Sequence, residues 1–93
     1  MKIKSIHFVG IKGVGMTPLA IIAKEARMKV SGSDIGEEFI TDELLKKAGI
    51  TPLVGFSPSH LEGGSANIDL VITTGAHGGF NNVEVLEAKR KNI

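Results

Sequence analysis

Apolar residues fall in short runs along this chain, separated by glycine-bearing links and by stretches with helical spacing. Residues 5–9 are a short, mainly apolar run rich in β-formers, which predicts a central parallel strand buried on both faces. A helix is expected at about 15–27. Pro18 falls in its first turn, where no intrahelical N–H is lost. Residues 29–33 read as a second strand. Thr41 is placed to cap a second helix, with Asp42 and Glu43 opposing its positive end. Leu44, Leu45 and Ala48 form that helix's apolar stripe, and Gly49 supplies a left-handed stop. Residues 50–54 read as a third strand, 57–62 as a capped helical turn, 63–67 as a loop and 68–73 as a fourth strand. Asn82 caps a last helix, at about 83–91.

The alternation is β-α-β-α-β-β-α with short links. It predicts an α/β fold, a Rossmann-like open parallel sheet with right-handed crossovers and helices on both faces. The expected strand order is 3-2-1-4. In such a sheet, ligands bind beyond the carboxyl ends of the strands, where the order reverses. Two loops should meet there, at 10–16 and 73–82.

The first of these loops carries the strongest motif. A strand runs into Gly10-Ile11-Lys12-Gly13-Val14-Gly15-Met16 and then into a helix, the layout that aims backbone N–H groups and a positive helix end at a phosphate. A dinucleotide fingerprint needs glycine at its first, third and sixth positions. Gly10 and Gly15 supply the first and sixth, but Lys12 occupies the third. Lys12 either adds a cation beside a pyrophosphate or points to water with only its backbone at the ligand. Asp34 lies 34 − 15 = 19 residues after Gly15, a spacing that suits a ribose or base-edge acceptor and equally a turn residue. The second loop, Thr73-Thr74-Gly75-Ala76-His77 through Asn82, offers hydroxyls and small residues for a phosphate or base pocket.

Length and composition narrow the picture. The 93 residues suit one domain, spanning 1–93, with a modest core. A net charge of +1 gives no reason to expect nucleic acid or an anionic membrane as partner, and no apolar run approaches the ~20 residues that span a bilayer. Without cysteine there is neither a disulfide framework nor a thiolate nucleophile. The three histidines lack metal-ligand spacing: His7 reads as a structural strand residue, and His60 as part of a surface turn with no assigned role. There is no G-x-x-x-x-G-K-[ST] and no G-x-S-x-G sequence, so neither a triphosphate P-loop nor a nucleophile elbow is present.

Residues 6–16, followed by Val30-Ser31-Gly32-Ser33-Asp34, resemble the opening of the Mur ligases, the cytoplasmic ATP-dependent amide ligases of peptidoglycan synthesis. The segment 69–76 and Asn82-Val83-Glu84-Val85 also resemble them, with Val83 where the family commonly has proline. The likeness covers essentially the whole chain and is nearest to the branch that joins UDP-N-acetylmuramate to L-alanine or to a recycled murein tripeptide.

The resemblance implies the N-terminal domain of a three-domain enzyme, holding the UDP part of UDP-N-acetylmuramate, with no catalytic residue, metal or cofactor of its own. ATP and magnesium would belong to a central domain, and the incoming amine to a C-terminal one. Residue by residue, it implies that Gly10, Ile11, Gly13, Val14, Gly15 and Met16 face the diphosphate. The family loop has glycine where this chain has Lys12, a position that the resemblance also sets at the diphosphate. Asp34 and Ile35 would contact the uridine, and Thr73, Thr74, Gly75 and Ala76, with His77 and Asn82 nearby, would form the opposite wall. An isolated domain of this kind should bind the UDP-sugar weakly and hydrolyse no ATP, and Asp34→Ala should weaken uridine binding without unfolding it. Two rival readings stay open: a nicotinamide-dinucleotide domain of a dehydrogenase or sensor, and an interaction module that keeps the fold without a ligand.

Overall fold

The structure is a computed structural model that describes residues 2–62 and 67–93. The elements are β1 (Ser5–Val9), α1 (Met16–Glu25), β2 (Lys29–Asp34), α2 (Thr41–Lys47), β3 (Leu53–Val54), β4 (Leu70–Thr73) and α3 (Val83–Arg90). Short 3-10 turns at Pro58–Leu61 and Gly79–Asn81 complete the chain. The strands form one sheet in the order β3-β2-β1-β4, and every neighbouring pair is parallel. Both the predicted fold class and the predicted strand order are therefore observed. The turn at 57–62 is also observed, with Ser57 accepting from the Ser59 N–H. The loop expected at 63–67 lies outside the described residues apart from Asn67.

Strand periodicity divides the core into two faces. Ile6 and Phe8 of β1 point to one face, where they pack with Ile11, Met16, Ala20 and Ala23 of the α1 region and with Leu45 and Ile50 of the α2 region. Phe8 is 1% exposed, and burying such a side chain contributes about 1.5–3 kcal/mol. His7 points to the other face, where α3 lies, and its side chain bonds to Glu84 of that helix. Helices thus cover both faces, α1 and α2 on one and α3 on the other.

Three helices end in the same way. The Met28 N–H donates to Ala23 O and the Arg27 N–H to Lys24 O. The Ile50 and Gly49 N–H groups donate to Leu45 O and Lys46 O, and those of Ile93 and Asn92 to Ala88 O and Lys89 O. Each pair is the hydrogen-bond pattern of a Schellman stop, whose central residue must be left-handed. Arg27 (φ 67°), Gly49 (φ 76°) and Asn92 (φ 62°) hold that position. Only Gly49 was legible as a stop.

Two expected boundaries need correction. Thr41 does not cap α2, because it already lies inside the helix. Ile40 holds the cap position without a side-chain bond, and the Thr41 hydroxyl donates instead to Lys12 O at 2.6 Å. The Asp42 carboxylate does the capping work by reaching back to accept the Phe39 N–H at 2.7 Å. The third strand is two residues long, not five. The Ile50 N–H is spent on the helix stop, and Pro52 has none to offer a ladder.

Candidate functional site

The glycine loop is built by close approach. At Gly10 (φ +83°), a Cβ would fall 2.3 Å from Thr74 Cγ2, so glycine is needed both for the turn and for contact between the two loops. At Gly32 a Cβ would fall 2.4 Å from Ile11 Cδ1 and 2.7 Å from Ile11 Cβ. Ile11 is fully buried, and the bare backbone of Gly32 is what leaves room for it.

Most N–H groups of the loop are spent internally. Gly10 and Ile11 donate to Ser33 O, Lys12 to Asp34 Oδ2 at 2.9 Å, and Gly13 to Gly10 O. Met16 and Thr17, whose N–H groups helix geometry leaves unpaired, both donate to Gly13 O, and Pro18 has no N–H. Among the described residues, the Val14 and Gly15 N–H groups have no acceptor. Both residues are exposed at the positive end of α1, and a Cβ on Gly15 would meet nothing within 4 Å. Two such donors at a positive helix end are an arrangement able to receive an anion.

Asp34 is 2% exposed and ties the site together. Its Oδ2 accepts from the Lys12 N–H, its Oδ1 accepts from the Ile35 N–H at 2.7 Å, and His77 Nε2 lies 3.3 Å from Oδ1. The carboxylate thus joins the end of β2, the glycine loop and the loop after β4.

His77 holds a left-handed conformation (φ 55°) and its ring sits 5.2 Å from that of Phe56. Its carbonyl accepts from Asn82 Nδ2 at 2.9 Å, while Asn82 Oδ1 caps α3 through the Glu84 N–H. In the same loop, the Thr74 N–H donates to Val9 O and the Thr73 hydroxyl to Thr74 O.

These loops enclose a cleft of about 380 Å³. Gly10, Lys12, Gly13, Val14 and Asp34 line one side of it, and Thr74, Ala76 and His77 the other. Of the other residues expected at a ligand, Ile11 and Met16 are buried in the core, and Gly15, Ile35, Thr73, Gly75 and Asn82 do not line the cleft. A third wall, Phe39, Ile40 and Thr41, was missed. An apolar pair before a capped helix carries no ligand signal, and only the fold brings it to the glycine loop.

Lys12 does not point to water, and its backbone N–H is taken by Asp34. Its ammonium donates to Glu37 O at 2.8 Å and lies 3.1 Å from Asp42 Oδ1. The Phe39 N–H, aided by that ammonium, holds the Asp42 carboxyl below the usual carboxylate range.

Beneath the cleft, on the α3 face, lies a buried polar cluster. Glu84 accepts from His7 Nε2 at 2.6 Å, from His60 Nδ1 at 2.7 Å and from the Ser57 N–H at 3.1 Å. Ser31 Oγ meets His7 Nδ1 at 2.8 Å. His7 is structural, as expected. His60 is not the idle surface residue that its turn suggested. Burial pushes the Glu84 carboxyl up, but the hydrogen bonds from His7, His60, Ser33 and the Ser57 amide outweigh that and hold it below its ordinary value. Among the described residues, no group of three or more metal-ligating side chains converges, and no helix is long and apolar enough to cross a membrane.

A parallel sheet in this order, with a glycine loop and a cleft at its switch point, defines a Rossmann-like α/β domain. Comparison with known proteins narrows the class. A model described as "Mur ligase family, catalytic domain" matches residues 5–93. The UDP-N-acetylmuramate–L-alanine ligase of Aquifex aeolicus is 44% identical over 92 residues, covering 99% of this chain and 19% of that protein. The same enzyme of Desulfitobacterium hafniense is 40% identical over 89 residues, covering 95% of this chain and 18% of that protein. The crystal structure of UDP-N-acetylmuramate–alanine ligase from Thermotoga maritima aligns with a TM-score of 0.77 at 35% identity, over 99% of this chain and 20% of that one. The UDP-N-acetylmuramate:L-alanyl-gamma-D-glutamyl-meso-diaminopimelate ligase from Neisseria meningitides gives 0.72 at 32%, over 98% and 27%. The chain belongs to the Mur ligase family. It spans about a fifth of the length of the curated relatives it matches.

Proposed function

We propose that this chain is the N-terminal, UDP-binding domain of an ATP-dependent UDP-N-acetylmuramate–L-alanine ligase of cytoplasmic peptidoglycan synthesis. The observation that carries this reading is the pair of unpaired N–H groups, Val14 and Gly15, at the α1 end of the cleft. They suit a diphosphate, and the apolar wall beside them suits the rest of a nucleotide. The names of the relatives supply the substrate, UDP-N-acetylmuramate, and the acceptor, L-alanine.

The chain has no P-loop sequence, and among the described residues of the cleft Lys12, Asp34 and Thr41 are already bound to other protein groups, so in this reading the domain's part is positioning. Holding the remote UDP handle fixes the substrate carboxylate where the neighbouring domains act on it. In this reading a central domain supplies ATP and magnesium, and a C-terminal domain helps bind the amine. The domain itself needs no cofactor, nucleic acid or membrane. The murein peptide ligases among the structural neighbours keep a second acceptor, a recycled tripeptide, in view. Two features weigh against a nicotinamide site: Lys12 stands where its fingerprint needs glycine, and both Asp34 carboxylate oxygens already hold N–H groups of the protein.

The test is an amide-resolved titration with UDP-N-acetylmuramate and, separately, with NAD. The reading expects shifts at Gly13, Val14, Gly15 and Thr74 with the UDP-sugar alone. Shifts with NAD alone would replace it by the dinucleotide class. Silence with both, from a folded sample, would favour an interaction module on the same fold.

A further inference from the structure

Lys12 is fastened through every polar group it has. Its N–H donates to Asp34 Oδ2 at 2.9 Å, and its carbonyl accepts from the Thr41 hydroxyl at 2.6 Å. Its ammonium donates to Glu37 O at 2.8 Å, pairs with Asp42 Oδ1 at 3.1 Å and sits 5.7 Å from the centroid of the Phe39 ring. All of these partners lie in residues 34–42. An ammonium has three donor protons. Two are directed at Glu37 and Asp42 and the Phe39 ring faces the group, so little is left for a phosphate. The side chain is 9% exposed, unusually low for lysine.

What the strap fixes is the missed wall of the cleft. The Phe39 N–H is held by the same Asp42 carboxylate that pairs with Lys12, at 2.7 Å. Phe39 and Ile40 line the cleft beside Val14 and remain 40% and 88% exposed, so both present open surface to a ligand. An apolar surface next to an anion site suits the planar ring of a nucleotide rather than its phosphates. We infer that Lys12 is a positioning residue: it ties the glycine loop to residues 36–42 and so holds Phe39 and Ile40 as the wall for the ring-bearing end of a bound nucleotide. This rests on the nucleotide reading proposed above and adds to it the device that shapes the nucleoside side of the site.

The test compares binding of UDP and of inorganic pyrophosphate to the wild type, Lys12→Met, Lys12→Arg and Asp42→Asn. It also follows amide hydrogen exchange in the ligand-free proteins. Lys12→Met keeps the aliphatic stem and removes the charge. It is expected to weaken UDP binding about tenfold, while pyrophosphate changes by less than about twofold. Asp42→Asn should lower the UDP-to-pyrophosphate preference in the same direction, and Lys12→Arg should restore part of it. Equal losses for both ligands would make the ammonium a direct phosphate contact and overturn the inference, as would unchanged UDP binding. In the free protein, the Lys12, Phe39 and Asp42 amides should exchange faster in Lys12→Met, while β1 amides keep their protection. Unchanged exchange at those three amides overturns the strap whatever the ligands do. Failure of the wild type to bind either ligand counts against the nucleotide reading instead.

Discussion

His7 and Glu84 lie 77 positions apart in the chain, and their side chains meet at 2.6 Å with neither exposed to solvent. A carboxylate can only accept, so His7 Nε2 donates. His60 donates to the other carboxylate oxygen, and the Ser57 amide joins it. Glu84 therefore fastens β1, the turn at 58–61 and α3 to one another. Through Asn82, which caps α3 and holds the His77 carbonyl, the cluster also sets where the far wall of the cleft stands.

Stability should follow the charge on Glu84. Its folded pKa lies below the ordinary glutamate value of 4.5, so its contribution is complete above that value. The contribution is lost as pH falls from about 4.5 through the lowered folded value. Glu84→Gln removes the charge and offers an N–H₂ group to a donor, which should cost about 3 kcal/mol near neutral pH. Denaturant unfolding of the two proteins between pH 7 and pH 3 checks this. The wild type should lose more stability than the variant across the acid part of that range.

Gly32→Ala should be costly although the new group is one methyl. Its Cβ would land on Ile11, a fully buried side chain whose backbone is held by Ser33. Overpacking of this kind costs about 1–3 kcal/mol, about 4–8 °C in Tm per kcal/mol for a domain this small. A thermal melt within 2 °C of the wild type would mean that the glycine loop gives way at no cost.

Asp34→Ala carries a different expectation from the one that the family resemblance implies. The residue is buried and receives two backbone N–H groups, so its loss leaves the Lys12 and Ile35 donors without partners. The cost to stability should be about 2–3 kcal/mol, and nucleotide binding should weaken with it. Unfolding midpoints measured beside ligand titrations separate this from a purely ligand-facing role, in which the midpoint would not move.

The sheet could be read from the sequence because its signals are local. A short run rich in apolar β-formers marks β1, and glycine-bearing links mark the turns around it. The cleft was half legible for the same reason. Gly10, Asp34 and Thr74 announce themselves by spacing and by position at strand ends. Phe39 and Ile40 do not, since their place beside Val14 depends on how α2 packs. Thr41 carried a genuine signal that pointed to the wrong partner: a hydroxyl before a helix suits a cap, but here a carbonyl 29 positions away takes it. The Glu84 cluster was invisible for a related reason, since nothing in local spacing pairs His7 or His60 with a carboxylate on the last helix.

Arg27→Gly should raise stability. Arg27 stops α1 in the left-handed region, at φ 67°, where an L side chain is strained by about 1–2 kcal/mol. Glycine removes that strain and returns part of the gain through a more flexible unfolded chain. A net increase of about 0.5–1 kcal/mol is expected in urea unfolding. Arg27→Ala, which keeps a Cβ in the same conformation, should gain nothing.

Gly15→Ala separates folding from binding most cleanly. Gly15 sits at φ −84° and ψ −20°, a helical conformation open to any residue, and its added Cβ meets no atom within 4 Å. Stability should stay within about 0.5 kcal/mol of the wild type. The new methyl would nevertheless project beside the Gly15 N–H, where the diphosphate reading places the ligand. Affinity for UDP should therefore fall by about tenfold or more, and pyrophosphate should lose a similar factor because the obstruction lies at the phosphate end. This contrasts with Lys12→Met, which should spare pyrophosphate. If Gly15→Ala binds UDP as tightly as the wild type, the anion does not sit on the α1 end, and the two unpaired N–H groups there serve only water.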